Sequence, residues 1–346
     1  MENPTKTIRV AVFSTKEYDK QFMREAAGLP EFADVKFSFD FFSDRLSPAT
    51  AVLARNHDAV CVYLNDEVSA EVANLLHEAG VRVLALRSRS YNYVNLNALA
   101  GRISVVHIPE YDSHAIAEFS IALLQALNRK IYKAYARGRE GNFSLDGLVG
   151  GDIHGKTVGI IGVGRIGRNV AEIYRGFGAN VLLNDTEQDE VFAQKIGAEY
   201  VNLEELFKKA DYITLHCPLT QETRHIINSN SLALMKNDVV IVNTCREELF
   251  DSKVVCDALI SGRIRGVAQD IFREYDQNLF RNLDENSVLD ENVSKISQLP
   301  NVVLTHHQAY LTENNLRSIM GTTLRNVLAI LSGSGTPDEV SAVPRG

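Results

Sequence analysis

Short, almost uninterrupted runs of Val, Ile and Leu recur along this chain, separated by stretches with helical spacing, and this alternation leaves few folds open. One series comprises Ile8–Phe13, Val35–Phe39, Ala59–Tyr63, Val81–Leu86 and Ser104–Ile108. A second comprises Thr157–Ile161, Asn180–Leu183, Tyr212–His216, Asp238–Val242, Arg265–Ala268 and Asn301–Thr305. Strands apolar at nearly every position are buried on both faces, which requires a parallel sheet with helices above and below it. Two series predict two doubly wound α/β domains, a count that 346 residues can supply. Ser113 to Ala136 contains no breaker and carries Ile116, Phe119, Ile121, Leu123, Leu124, Leu127 and Ile131 at helical spacing, so it predicts one long helix between the domains. The chain is helical again from about Leu311 to Leu331, and Gly333 to Gly346 is expected to fray.

Composition removes several function classes. There are 36 basic and 44 acidic residues, a net charge of −8, and no Lys/Arg run, which argues against nucleic acid as a partner. No apolar run approaches the roughly 18 residues of a membrane span, so no membrane role is expected. Cys61, Cys217, Cys245 and Cys256 show no CxxC spacing and no neighbouring His pattern, so no metal site is expected. Unpaired thiols, with Met1 to Thr7 lacking the apolar core of a signal peptide, lead us to expect a cytoplasmic protein.

The chemistry begins at Gly162-Val-Gly164-Arg165-Ile166-Gly167, which follows a strand and opens a helix. Gly162 permits the tight turn, Gly164 lets a pyrophosphate approach the backbone, and Gly167 lets the helix pack on the sheet. The helix N-terminus then offers free N–H groups to the phosphates. Asp185 follows Gly167 by 18 residues, at the end of the next strand, where a carboxylate accepts from a ribose 2′-OH and repels a 2′-phosphate. NAD is therefore the expected cofactor. A glycine turn with an unrelated surface Asp is the bland alternative.

These residues, together with Arg87-Ser88, Ile108–Tyr111, Ala115–Glu118, Asn142–Leu145, His154–Val158, His216–Leu219, Asn243–Arg246, Gln269–Phe272 and His307–Tyr310, resemble the NAD-dependent D-2-hydroxyacid dehydrogenases, D-lactate dehydrogenase branch, over residues 80–330. The resemblance implies a flavodoxin-like substrate domain (1–111 plus 308–346), a Rossmann cofactor domain (112–307), a cleft between them and a homodimer through the Ser113–Ala136 helix and its surroundings. It implies hydride transfer between NAD(H) and a small 2-keto or 2-hydroxy acid. Arg246 matches the cation that binds the substrate carboxylate and polarises the ketone. His307 matches the acid that protonates the forming alkoxide. Arg89, Ser90 and Tyr111 fall at the substrate, Asp270 near the nicotinamide amide, and Cys217, Pro218, Asn243 and Thr244 at the cofactor. His306 matches no role.

The sequence departs from that pattern at three places. The carboxylate that holds the histidine lies five residues after the position of Asp270, which here is Tyr275; Glu274 is adjacent, and a local bulge could bring it into the role. Arg89-Ser90 stand where the family has a small residue and Gly, and Glu247 stands where it has Gly after Arg246. Each has a bland reading: a solvated Arg89, a solvated Glu247, a core Tyr275. Without the carboxylate, the His307 pKa should fall towards ~6.5. Intact Arg246 and His307 favour a dehydrogenase; the altered loops leave open an NAD(H)-binding regulator or scaffold, or an enzyme whose Arg89 meets an extra anionic group.

Overall fold

The computed structural model describes residues 6–271 and 295–340, which fall into two compact units, 6–112 with 311–340 and 113–271 with 295–310. The first unit opens with β1 (Lys6–Val12), α1 (Glu17–Ala27), β2 (Val35–Phe41), β3 (Ala59–Val62), α2 (Ala70–Glu78), β4 (Val83–Leu86), α3 (Leu96–Leu99) and β5 (Ser104–Val106). β3 and β4 are buried at every position, as central parallel strands must be, whereas β2 alternates between half-buried and exposed residues.

The second unit begins with helices α4 (Ser113–Asn128) and α5 (Ile131–Arg139). The single helix expected over Ser113–Ala136 is thus two. Lys130 adopts a left-handed conformation (φ +52°), which ends the helical ladder. The buried Asn128 side chain is committed to donating to the Gly151 carbonyl at 2.7 Å, pinning the helix end to a distant loop. The apolar face of α4 is consumed within its own unit: Ile121, Leu123, Leu124 and Leu127 are buried against the sheet.

That sheet comprises β6 (Thr157–Ile161), β7 (Asn180–Asn184), β8 (Glu199–Tyr200), β9 (Tyr212–Leu215), β10 (Val240–Asn243), β11 (Gly266–Ile271) and β12 (Val302–His306), linked by α6 (Arg165–Gly176), α7 (Glu190–Ile196), α8 (Leu203–Lys209), α9 (Ser229–Leu234) and α10 (Ser252–Ile260). All pairs are parallel, in the order β12-β11-β10-β9-β6-β7-β8. The order reverses between β6 and β9, and ligands of doubly wound sheets bind outside the carboxyl ends of the strands at such a point.

The chain returns to the first unit through α11 (Glu313–Ser332), capped by Thr312 and closed by left-handed Gly333. α11 packs on α1 and β4. From Gly333 to Val340 the chain does not fray as expected: β13 (Glu339–Val340) pairs antiparallel with β5, and Asn326 donates to Asp338; residues 341–346 lie outside the described residues. The first sheet reads β13-β5-β4-β3-β1-β2. All four cysteines are free. Among the described residues, no helix is long and apolar enough to cross a membrane and no cluster of ligating side chains could hold a metal ion.

Candidate active site

The glycine turn sits at the switch point. Gly162 has φ +91°, and a Cβ there would lie 2.4 Å from the Cys217 amide nitrogen, so only glycine lets the β6 and β9 ends come together. A Cβ at Gly167 would meet the Gly162 carbonyl oxygen at 2.0 Å, which fixes how closely α6 starts. Gly164 is exposed and a Cβ there would meet nothing within 4 Å: this is open space in front of a helix N-terminus with no side-chain cap. Arg165 is exposed and Ile166 half-buried in the same first turn. Orphan N–H groups facing open space suit a pyrophosphate.

Asp185, at the end of β7, accepts from the Val163 N–H at 2.5 Å and from the Glu187 N–H at 3.1 Å. Partial burial raises its pKa, but these donors outweigh burial and hold the carboxyl below its ordinary range. The charge is therefore fixed beside the glycine turn. On the opposite side of the turn, Cys217 is buried and its thiol is pushed up to about 11 by that burial, so it packs as a small apolar residue; Pro218 is exposed.

After β10 the chain bends to present Arg246. Buried Asn243 makes the bend: its Nδ2 donates to the Arg246 carbonyl at 2.8 Å and its Oδ1 accepts from the Cys245 N–H at 2.9 Å. Asn243, expected at the cofactor, thus also shapes the Arg246 turn. The Thr244 hydroxyl is buried with no hydrogen-bond partner among the described residues, a polar atom fit for a cofactor group. Glu247 opens a short 3₁₀ turn and is only 6% exposed, so the solvated reading is incorrect; its φ is not positive, so the position has no conformational need for glycine.

Asp270 on β11 is 3% exposed and holds the segment that carries His307. Its Oδ1 accepts from Thr305 Oγ1 at 2.6 Å and from the Gln308 N–H at 3.1 Å, and its Oδ2 from the Ala309 N–H at 2.9 Å. Burial raises its pKa against the pull of these donors. Bonds on both sides of His307 explain how a non-glycine residue is kept at φ +47°. Burial, and then the charges of Arg246 and His306, push the His307 pKa down to about 3, further than loss of a carboxylate alone would imply. His306 is half-buried in β12.

The second unit therefore gathers Gly162, Asp185, Cys217, Arg246, Asp270 and His307 at or just beyond the carboxyl ends of six parallel strands. Arg89, Ser90 and Tyr111 belong to the first unit and cluster there: the Arg89 N–H donates to the Tyr111 hydroxyl at 3.1 Å, and Ser88 Oγ donates to the Ser90 carbonyl at 2.8 Å. Arg89 is exposed. Glu274 and Tyr275 lie outside the described residues. Sequence reasoning missed Thr305; its signal, a Thr two residues before the candidate acid, gains meaning only once β11 and β12 pair.

Comparison with known proteins gives a consistent result. Residues 121–309 match the family model of the D-isomer specific 2-hydroxyacid dehydrogenase, NAD binding domain. The chain is 44% identical over 322 residues to 2-hydroxyacid dehydrogenase homolog 2 of Schizosaccharomyces pombe, covering 92% of this chain and 95% of that protein. It is 39% identical over 335 residues to the D-lactate dehydrogenase of Escherichia coli, covering 96% and 100%. The apo structure of the Escherichia coli enzyme superposes with a TM-score of 0.86 at 38% identity, over 96% of this chain and 100% of that one. The NAD complex of the Lactobacillus delbrueckii D-isomer specific 2-hydroxyacid dehydrogenase superposes with a TM-score of 0.78 at 28% identity, over 96% and 100%.

Proposed function

This chain belongs to the D-isomer specific 2-hydroxyacid dehydrogenases, and from that premise we propose that Arg246 binds the substrate and His307 handles its proton. The protein is an NAD-dependent oxidoreductase acting on a small 2-keto or 2-hydroxy acid. Bound NAD(H) supplies or takes up the hydride at C2. The residues of the chain do the rest. The planar guanidinium of Arg246 engages the substrate carboxylate and draws charge from the ketone. His307 gives its proton to the oxygen at C2 during reduction and removes it during oxidation. Asp270 is a positioning residue that holds the His307 turn, and Asn243 does the same for Arg246. Asp185 takes the adenosine ribose and excludes a 2′-phosphate.

The observation that carries this reading is that Arg246 follows β10 and His307 follows β12 at the same carboxyl edge of the parallel sheet that carries the glycine turn after β6. Glu274 is our candidate for the carboxylate that restores a useful pKa to His307, and Arg89, Ser90 and Tyr111 for the first unit's share of the substrate contacts. That assigns residues 1–111 with 308–346 to the substrate and 112–307 to the cofactor. Pyruvate with D-lactate is the pair to test first, because relatives bear that name. The alternative of a regulator or scaffold draws no support from these relatives. NADH oxidation with a panel of 2-keto acids is the test: turnover that survives loss of both His307 and Arg246 would sink the assignment.

A homodimer through the Ser113–Ala136 segment and its surroundings also has support, concentrated at the end of that segment and just after it. Ile131, Tyr135, Phe143, Leu145 and Val149 are 55–84% exposed within one short stretch following α4. Such a strip on a monomer marks an interaction surface. The free thiols fit a cytoplasmic location.

A further inference from the structure

The outer edge of β2 pairs with no strand among the described residues. It is seven residues long, Val35 to Phe41, with no proline, and natural proteins seldom leave such an edge bare. Its backbone polarity can be assigned. The Phe42 N–H donates to the Val12 carbonyl and the Phe42 carbonyl accepts from the Thr15 N–H, so Phe42 faces inward. Residues alternate along a strand, so Lys36, Ser38 and Asp40 also turn their N–H and C=O groups inward, towards β1. Val35, Phe37, Phe39 and Phe41 turn theirs outward.

The side chains alternate as well. Phe37, Phe39 and Phe41 form a half-buried stacked column, with ring centroids 6.0 and 5.5 Å apart, and Arg24 lies over Phe41 at 5.2 Å. The column lines a surface groove of about 470 Å³ with Arg24, Ala27 and Gly28. Lys36, Ser38 and Asp40 point to the other face and are exposed. Asp40 gives one oxygen to His57 at 2.9 Å and keeps the other free among the described residues.

We propose that β2 docks against β2 of a second copy of this chain, antiparallel about a two-fold axis at Ser38, making one continuous sheet from two first units. An antiparallel pair needs outward-facing residues opposite one another, and this register places Phe37 opposite Phe39 and Val35 opposite Phe41, all outward-facing. It is also the register that uses the whole strand. Lys36 then falls opposite Asp40 twice, at non-hydrogen-bonded positions, where cross-strand side chains come closest. The aromatic columns join across the axis. Shifting the strands by two residues in either direction removes both Lys36–Asp40 pairs. The edge is thus self-complementary in hydrogen bonds, aromatic contact and charge, as an isologous interface requires.

The charge pattern supplies the test. Lys36→Glu sets carboxylates opposite one another, and Asp40→Lys sets ammonium groups opposite one another. Whether the unaltered chain is a dimer through β2 alone or a tetramer that also uses the 131–149 surface, each variant alone should show half its mass by sedimentation in low-salt buffer, with NADH binding retained. An equimolar mixture should regain the full mass, because each mixed pair has two attractive contacts. A second measurement does not depend on those variants: Ser38→Cys should form an intermolecular disulfide on mild oxidation, since the axis places the two residues 38 within bridging distance, whereas Lys36→Cys should not. Variants that keep the unaltered mass, a mixture that stays at half mass, or a Ser38→Cys chain that does not cross-link would each overturn the proposal.

Discussion

Burial and the Arg246 charge both disfavour protonated His307, and the pH behaviour of the reaction follows from how far a carboxylate such as the proposed Glu274 offsets them. Reduction uses the imidazolium, so its rate should fall as pH rises through the lowered pKa; oxidation uses the neutral ring and should persist at neutral pH. Arg246→Gln should move the His307 imidazole titration upward in NMR, because a repelling cation is gone, while kcat/KM drops roughly 10²-fold for about 3 kcal/mol of lost charge-assisted bonding. A His307 resonance that does not move would show that the two do not interact. Glu274→Gln should shift the reductive limb to more acidic pH if that carboxylate serves the histidine. Asp270→Asn keeps the shape but puts an NH₂ against the Gln308 or Ala309 N–H; we expect a fall in kcat of one to two orders of magnitude, with KM for NADH little changed. An unaltered kcat would remove Asp270 from its positioning role. Arg246, His307 and the glycine turn could be singled out in the sequence because the chemistry proposed for them resides in the side chain or in its absence. Thr305, and the hold of Asn243 on the Arg246 turn, were not, because these side chains act on main-chain or carboxylate atoms that only the folded chain brings within reach.

At the scale of elements, the long buried strands were legible because burial on both faces leaves a continuous apolar run. The two-residue strands β8 and β13 were not, since two residues carry no period. The break between α4 and α5 was hidden because Arg129-Lys130 is an ordinary helical pair; the cause is Asn128 bonding to a loop 23 residues on. The turn joining β6 to α6 offers a contrast within one motif. Gly162→Ala forces a Cβ to 2.4 Å from the Cys217 nitrogen at φ +91°, so we expect about 1–3 kcal/mol of destabilisation in urea as well as lost NADH affinity. Gly164→Ala meets nothing and has φ −70°. It should leave stability within about 0.5 kcal/mol yet weaken NADH binding, because its methyl occupies the space a pyrophosphate would use. Equal effects of the two changes on stability would contradict this division.

For the whole molecule, two units with separate sheets imply two linked but distinguishable stabilities, and the cofactor residues lie in only one of them. A ligand that binds the native state alone stabilises it by about 2.7 kcal/mol at a free concentration of 100 Kd. Across a domain of this size that corresponds to a rise in Tm of roughly 5–10 °C. NADH should therefore raise the transition of the second unit by this much in calorimetry and act on the first unit only through coupling between them. NADPH at the same concentration should raise it far less, because the Asp185 carboxylate, held ionised by the Val163 and Glu187 N–H groups, repels a 2′-phosphate. Asp185→Ser removes that charge and should bring the NADPH-induced shift up towards the NADH-induced one, at some cost to the latter. Equal shifts by both cofactors in the unaltered chain would mean that Asp185 spends its charge on the turn rather than on discrimination.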